Sequence, residues 1–404
     1  MKKGWEIKTL GDLYDITSSK RVFESEWKRS GVPFYRAREI VKLARQGFVK
    51  NELFISEEMY NQYSEKYGIP KEGDIMVTGV GTLGICYVVQ KNDKFYFKDG
   101  NIIWLKTKNG INSRFVEYAF QSDYLRKQID DSVGATVGTF TIIKAKNTLI
   151  PIPPLPEQQR IVHVLDEAFA SIAQAKSNAE RNLVNARELF ETISHDIFSS
   201  PHKDWKEKPL GELCEKITKG SSPKWQGIKY VDQPGILFVT SENVGLNEII
   251  LDRRKYVEEK FNISDKKSIL QKGDVLTNIV GASIGRTAIF NLDDLANINQ
   301  AVCILRCKEE ILHNLYLSHL LNSPFFRDIL HDNEVDNARA NLSLGFFSNL
   351  AIPVPPLAEQ RAIVGRLEAL SAETGRLEEI YQQKIESLEE LKKSVLSEAF
   401  SGEL

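Results

Sequence analysis

Pro151-Ile152-Pro153-Pro154-Leu155-Pro156-Glu157-Gln158 and Pro353-Val354-Pro355-Pro356-Leu357-Ala358-Glu359-Gln360 are one motif written twice, 202 residues apart. Working outward from it, more of the chain proves duplicated. Trp5, Leu10, Gly11 and Leu13 return as Trp205, Leu210, Gly211 and Leu213, and Gly73-Asp74 returns as Gly273-Asp274, at an offset of 200. Gly81 returns as Gly281, Leu105-Lys106 as Leu305-Arg306, and Phe198-Ser199 as Phe400-Ser401. Solenoid repeats have periods of roughly 20–50 residues, so a period this long is a duplicated domain. The 404 residues therefore divide into a globular part (1–150), a tail (151–200), a second globular part (201–352) and a second tail (353–404).

Both tails read as long helices on one frame. In the first, Leu165, Ile172, Leu183, Leu189 and Ile193 lie on a stripe of apolar residues stepped by three and four. At an offset of 202 the stripe returns with Leu367, Leu377, Leu388, Leu391 and Val395 on it, the equivalents of Leu165, Ala175, Ala186, Leu189 and Ile193. The prolines stop the preceding strand and are tolerated in a first helical turn, whose amides are unpaired anyway. Glu157 and Glu359 then sit where the helix dipole favours a carboxylate. A run of about 40 residues gives a helix of roughly 60 Å. An isolated amphipathic helix is marginal in water. Two matching stripes on one chain are expected to mate as an antiparallel coiled coil, giving a pseudo-twofold molecule. The globular parts read as mixed α and β, with strands near 74–78, 85–90 and 102–106 and helices over 112–128 and 311–321.

Little in the sequence points to catalysis. Gly79-Val80-Gly81-Thr82-Leu83-Gly84 fits a GxGxxG pattern, but Ile85-Cys86-Tyr87-Val88-Val89 follows it as a strand. A dinucleotide site needs a helix N-terminus at that point, so a strand-to-strand turn is expected. No P-loop, HExxH or Asn/Asp-Pro-Pro-aromatic motif occurs, and the six histidines are scattered. Cys86, Cys214, Cys303 and Cys307 form no CxxC pair, which suggests a reduced compartment. No apolar run approaches a membrane span, and the opening residues lack an apolar export signal, so a cytoplasmic protein is expected. No metal site or cofactor is expected on this chain.

What remains is recognition chemistry in matching places. The chain carries 53 basic and 55 acidic side chains, net −2, which excludes a uniformly basic coat but not a local patch. Residues 20–50 hold nine cations against three carboxylates, net +6, among them Lys20, Arg21, Lys28, Arg29, Arg36 and Arg38, with Trp27, Phe34 and Tyr35 interleaved. The second copy offers Lys219, Ser221, Ser222, Lys224, Arg253 and Arg254. Near each repeat end lies a polar run: Thr136, Thr139 and Thr141 in one, Asn337, Arg339, Asn341 and Ser343 in the other. Cations supply affinity for phosphates, and Arg, Asn, Ser and Thr read base edges, so these residues are candidate DNA contacts. The second tail is net −4 over 354–404 and is not expected to lie on DNA.

The duplicated Pro-Pro-Leu-x-Glu-Gln segment, the Leu-Gly-(Asp/Glu)-Leu start of each half and the final Ala399-Phe400-Ser401-Gly402-Glu403-Leu404 together resemble the specificity subunit of type I restriction-modification systems. The resemblance covers nearly the whole chain. It implies two target-recognition domains separated by repeated helical regions that form an antiparallel coiled coil. Each domain would read one half of an asymmetric, bipartite DNA site across a fixed, unread spacer. It implies two methyltransferase subunits and restriction/translocase subunits as partners, which would carry adenosyl-methionine, ATP and Mg and perform all catalysis. The competing reading is a coiled-coil structural adaptor whose end domains bind proteins.

Overall fold

The computed structural model describes residues 4–108, 110–130, 138–232, 235–333 and 340–404. The chain falls into two compact units: Met1–Ala179 with Gln383–Leu404, and Glu180–Gln382. Both contain the same plan. In the first unit a four-stranded antiparallel sheet runs in the order Asp15–Thr17, Ile102–Lys106, Ile75–Thr78, Cys86–Val88. Beside it, Val32–Tyr35 pairs antiparallel with Phe54–Ile55 and parallel with Tyr96–Phe97. In the second unit the sheets are Cys214–Lys219, Val302–Cys307, Val275–Asn278, Thr287–Ile289, and Tyr230–Val231, Tyr256–Val257, Ile236–Val239, Ala296–Ile298.

A two-stranded ribbon closes each domain at the repeated motif. Glu6–Thr9 pairs with Leu149–Ile152, and Lys206–Pro209 pairs with Ala351–Val354. The Leu-Gly-(Asp/Glu)-Leu turn follows the first strand of each ribbon. The Leu10 amide donates to the Thr148 carbonyl, and the Leu210 amide to that of Leu350, both at 2.9 Å. A Cβ on Gly11 would sit 2.9 Å from the Lys146 carbonyl oxygen, and one on Gly211 would sit 3.0 Å from that of Ser348, so both approaches need glycine.

The Gly79–Gly84 segment is a turn between the antiparallel strands Ile75–Thr78 and Cys86–Val88, with Gly81 and Gly84 at φ 71° and 69°. The helix expected over 112–128 is two helices, Ser113–Gln121 and Asp123–Asp130. Ser122 adopts an extended backbone between them, and its hydroxyl donates to the Ala119 carbonyl. Asn314–Asn322 is the helix of the second domain that follows the 302–307 strand.

Each motif then opens a 45-residue helix, Leu155–Ser199 and Leu357–Ser401. The reason Gln ends the motif is visible in both domains. Gln158 is buried; its Oε1 accepts from the Asn112 amide at 2.9 Å and its Nε2 donates to the Pro153 carbonyl at 2.8 Å. Gln360 is also buried. It accepts from the His313 amide at 2.8 Å and donates to the carbonyls of Ile311 (2.9 Å) and Pro355 (2.8 Å). One amide side chain thus pins the first helical turn to the loop that precedes a domain helix.

The long helices run antiparallel within each unit. In the first, Arg160 donates to the Leu404 carbonyl, Lys392 lies over the Phe169 ring, and Lys176 pairs with Glu389. Leu165 is buried in a core shared with Leu396, Ala399 and Phe400, and Phe400 meets Phe115 of the domain at 5.1 Å between ring centroids. In the second unit, Arg187 pairs with Glu378, while Phe198 and Leu367 are buried in one core and Phe198 meets Tyr316 at 5.7 Å. Ile172, Leu183, Ile193, Leu377, Leu388 and Val395 are half-buried. Leu189 and Leu391, expected in the seam, are instead exposed. They are repeat equivalents, and in both helices the covered face steps by four rather than three at this point, from Ala186 to Phe190 and from Leu388 to Lys392. No described helix is long and apolar enough to cross a membrane.

Candidate nucleic-acid interface

In the first domain the strand Asp15–Thr17 runs into a loop fixed from below. Ser18 and Ser19 hydroxyls donate to the carbonyls of Ile102 and Phe97, and the Lys20 amide donates to the Tyr96 hydroxyl at 3.0 Å. Arg21 pairs with Asp99 at 2.9 Å. The loop then presents Lys20, Arg21, Phe23, Lys28 and Arg29 to solvent. The interleaved aromatics do something else. Phe34 and Tyr35 are buried, and Trp27 packs half-buried on the cluster that holds Phe34. Phe23, 61% exposed, is the aromatic at the surface of this loop.

Arg36 and Arg38, expected as DNA contacts, are engaged within the domain. Arg36 Nη2 lies 2.9 Å from Glu39, Arg38 Nε lies 2.5 Å from the same carboxylate, and Arg38 also pairs with Glu52. Burial pushes the Glu39 carboxyl up, but the bonds from Arg36 and Arg38 prevail and hold it below its ordinary value. Glu39 also accepts from the Arg36 amide at 2.9 Å, opening the helix Ala37–Gln46. Both arginines serve this buried carboxylate, since a buried charge must be paired.

The second domain places a loop at the same point after its strand Cys214–Lys219. Gly220 packs against the 298–299 backbone too closely for any Cβ, and Ser221 donates to Asp265 at 2.5 Å. Ser221 is therefore a loop anchor rather than an available reader. Beyond it, Pro223–Gln226 forms a short 3-10 turn that exposes Lys224 and Trp225, with Ser222 and Lys219 half-buried beside it. Trp225 is 82% exposed. Arg253 and Arg254 are exposed just before the strand Tyr256–Val257; Arg254 lines an open groove of about 750 Å³ with Tyr230, Val231, Asp232, Lys255 and Tyr256.

The polar runs near the repeat ends divide. Thr136, Asn337 and Arg339 lie outside the described residues. Thr141 and Ser343 are repeat-equivalent helix caps: each hydroxyl accepts from the amide three residues on, that of Lys144 at 3.3 Å and Phe346 at 3.0 Å. Each hydroxyl thus has a structural task as a helix cap. Thr139 is exposed, with its carbonyl accepting from Lys144, and Asn341 is half-buried in a bridge to Val280. Among the described residues no group of three His, Cys, Asp or Glu could hold a metal. Phe23 was not among the sequence-derived contacts; its signal was an aromatic two residues from the Lys20-Arg21 pair.

A family model described as the type I restriction modification DNA specificity domain matches residues 2–181 and again 202–387. The Escherichia coli EcoBI specificity subunit is 25% identical, with 99% of this chain and 86% of that protein aligned. The MjaVIII specificity subunit of Methanocaldococcus jannaschii is 22% identical over 99% of this chain and 93% of its own. In fold, the HsdS subunit of Thermoanaerobacter tengcongensis superposes with a TM-score of 0.69 at 20% identity, covering 100% of this chain and 98% of that one. A chain solved in work on complex assembly of the type I R-M system reaches 0.77 at 21% identity, covering 100% and 99%. With the family model taking in both halves, the chain belongs to the type I restriction-modification DNA specificity family and carries its domain twice.

Proposed function

We propose that the chain is the non-catalytic, sequence-reading subunit of a cytoplasmic type I complex, with residues 1–150 and 201–352 each reading one half of an asymmetric DNA site. The observation that carries this is the duplicated specificity domain, built on matching sheets but with unlike loops at matching positions. Where the first domain sets the helix Ala37–Gln46 behind Arg36, the second sets a turn in which the Thr240 amide donates to Asn243 Oδ1 at 2.9 Å. Equal scaffolds with unequal surfaces suit a target whose halves differ. The exposed cations Lys20, Arg21, Lys28, Arg29, Lys224, Arg253 and Arg254 supply phosphate affinity, and Phe23 and Trp225 touch bases or sugars from the loop between them. The helical regions 151–200 and 353–404 set the length of the unread spacer and carry the methyltransferase and restriction subunits. Adenosyl-methionine, ATP and Mg belong to those partners, and this chain supplies no reacting group.

The test is an exchange of residues 1–150 for the corresponding domain of a relative, followed by sequencing of methylated bases in the host. One half of the modified sequence changes and the other stays. Alteration of both halves, or DNA binding by the assembled methyltransferase that ignores salt between about 50 and 200 mM, overturns the proposal.

A further inference from the structure

An ion pair joins the long helices in each unit, and the arrangement of the charges is not symmetric. In the first unit Lys176 pairs with Glu389; in the second Arg187 Nε donates to Glu378 Oε2 at 2.7 Å. Lys176 holds the Glu389 carboxyl below its ordinary value by hydrogen bonding and by charge. At the repeat offset of 202, Lys176 is the equivalent of Glu378, and Arg187 is the equivalent of Glu389. At both equivalent positions the first helix carries the cation and the second helix the anion.

The apolar stripe cannot distinguish the helices, because both are written on the same frame. The charges can. In an antiparallel pair made from two copies of the first helix, the same register would set Lys176 against Arg187 twice. A pair made from two copies of the second would set Glu378 against Glu389 twice. Like charges across a helix pair disfavour it about as much as opposite charges favour it, and specificity of this kind is built as much from repulsion as from attraction.

We propose that Lys176, Arg187, Glu378 and Glu389 form a pairing code. It mates the first helical region with the second and rejects its like in another copy of the chain, so that two unlike DNA-reading domains, not two identical ones, are held together.

The code can be erased without losing either bridge. In the full-length double variant Arg187→Glu with Glu378→Lys, Lys176 still faces Glu389, and the second bridge persists with its two charges exchanged. Two first helices now face each other with opposite charges as well, and so do two second helices. All four contacts of a like-with-like dimer turn from repulsive to attractive. At a factor of about two or more for each, the dimer gains at least about tenfold. Asn182→Cys in every background reports it, because residue 182 lies beside its own counterpart at the centre of a first-helix self-pair, and the four native cysteines are buried. The readout is the initial rate of disulfide-linked dimer formation under mild oxidation at low salt. The double variant cross-links at least about tenfold faster than the chain with native charges, and the difference shrinks at high salt. Inverting all four charges (Lys176→Glu, Arg187→Glu, Glu378→Lys, Glu389→Lys) restores the code and the slow rate. Equal rates in the native and double-variant backgrounds, or fast cross-linking after full inversion, overturn the proposal. This outcome is independent of whether the domains read DNA.

Discussion

Replacing Gln360 with methionine keeps the length of the side chain and removes its amide. Three hydrogen bonds go: one accepted from the His313 amide and two donated to the carbonyls of Ile311 and Pro355. Each net bond is worth about 1 kcal/mol, and a polar group left dry costs about 1–3 kcal/mol. With Gln360 fully buried, water does not easily replace the amide, so the loss comes to about 3–5 kcal/mol. For a unit of about 200 residues, each kcal/mol moves the melting temperature by roughly 2–4 °C. Gln158→Met removes two bonds and is expected to cost about 2–3 kcal/mol in the first unit. Glu359→Gln, at an exposed neighbour, serves as control and stays within about 0.5 kcal/mol. Because two units need not unfold together, the assay is urea unfolding followed by hydrogen exchange, with peptides around Ile311–His313 and Asn112 reporting each latch. Gln360→Met within about 0.5 kcal/mol of the native chain, with unchanged exchange at His313, would refute the latch.

Further outcomes rest on other buried groups. Asp274 has no exposed side-chain surface and takes Arg306 Nε and Nη2 at 2.7 and 2.8 Å, so Asp274→Asn strands a guanidinium and costs about 3 kcal/mol by urea unfolding. His319 is buried and held below its ordinary pKa by desolvation, so the unfolded chain binds a proton that the folded chain refuses. Stability is therefore full above the ordinary value of about 6.5 and falls as pH drops below it; urea midpoints from pH 7.5 to 5 show this slope, and His319→Gln flattens it. Thr141→Ala and Ser343→Ala each cost about 1 kcal/mol of thermal stability while the methylated sequence stays the same. Trp225→Ala leaves the melting temperature unchanged, because the ring is 82% exposed, yet weakens binding of the assembled complex to its site by about tenfold or more in a gel shift.

Much of the scaffold was legible because duplication repeats what packing requires. The Gln of the motif, the glycine of Leu-Gly-(Asp/Glu)-Leu and the Gly-Asp turn recur because each meets backbone at a fixed distance in both domains. Asp74 accepts from the Lys71 amide at 2.9 Å, and Asp274 accepts from that of Gln271 at 2.7 Å. The interface was less legible because charge in a sequence does not say where its partner lies. Arg36 and Arg38 read as free cations until Glu39, one to three residues away, is seen to be buried between them. The capping bonds of Thr141 and Ser343 were hidden for the same reason: a hydroxyl that caps a helix and one that faces a groove look alike in one dimension. Leu189 and Leu391 missed the seam because a stripe drawn in steps of three and four leaves the choice of step open, and only packing decides it.

The partner of Asp74 carries this one step further. Its second-domain counterpart binds the guanidinium of Arg306, but Asp74 instead takes the indole of Trp104 at 2.8 Å and the Thr107 amide at 2.9 Å. The carboxylate and its turn are kept, while the group that satisfies it has been replaced. Inside the domain such exchange is limited to donors that reach the same oxygen atoms, since an unpaired buried carboxylate is too costly to keep. At the loops after Asp15–Thr17 and Cys214–Lys219 no such limit applies. Ser18 and Ser19 anchor the base of the first loop and Gly220 with Ser221 that of the second, and the exposed remainder is free to be Phe23 in one and Trp225 in the other. These loops, the reading surface in the proposed function, can therefore change without re-solving the fold, which is what a subunit whose task is to choose among DNA sequences requires.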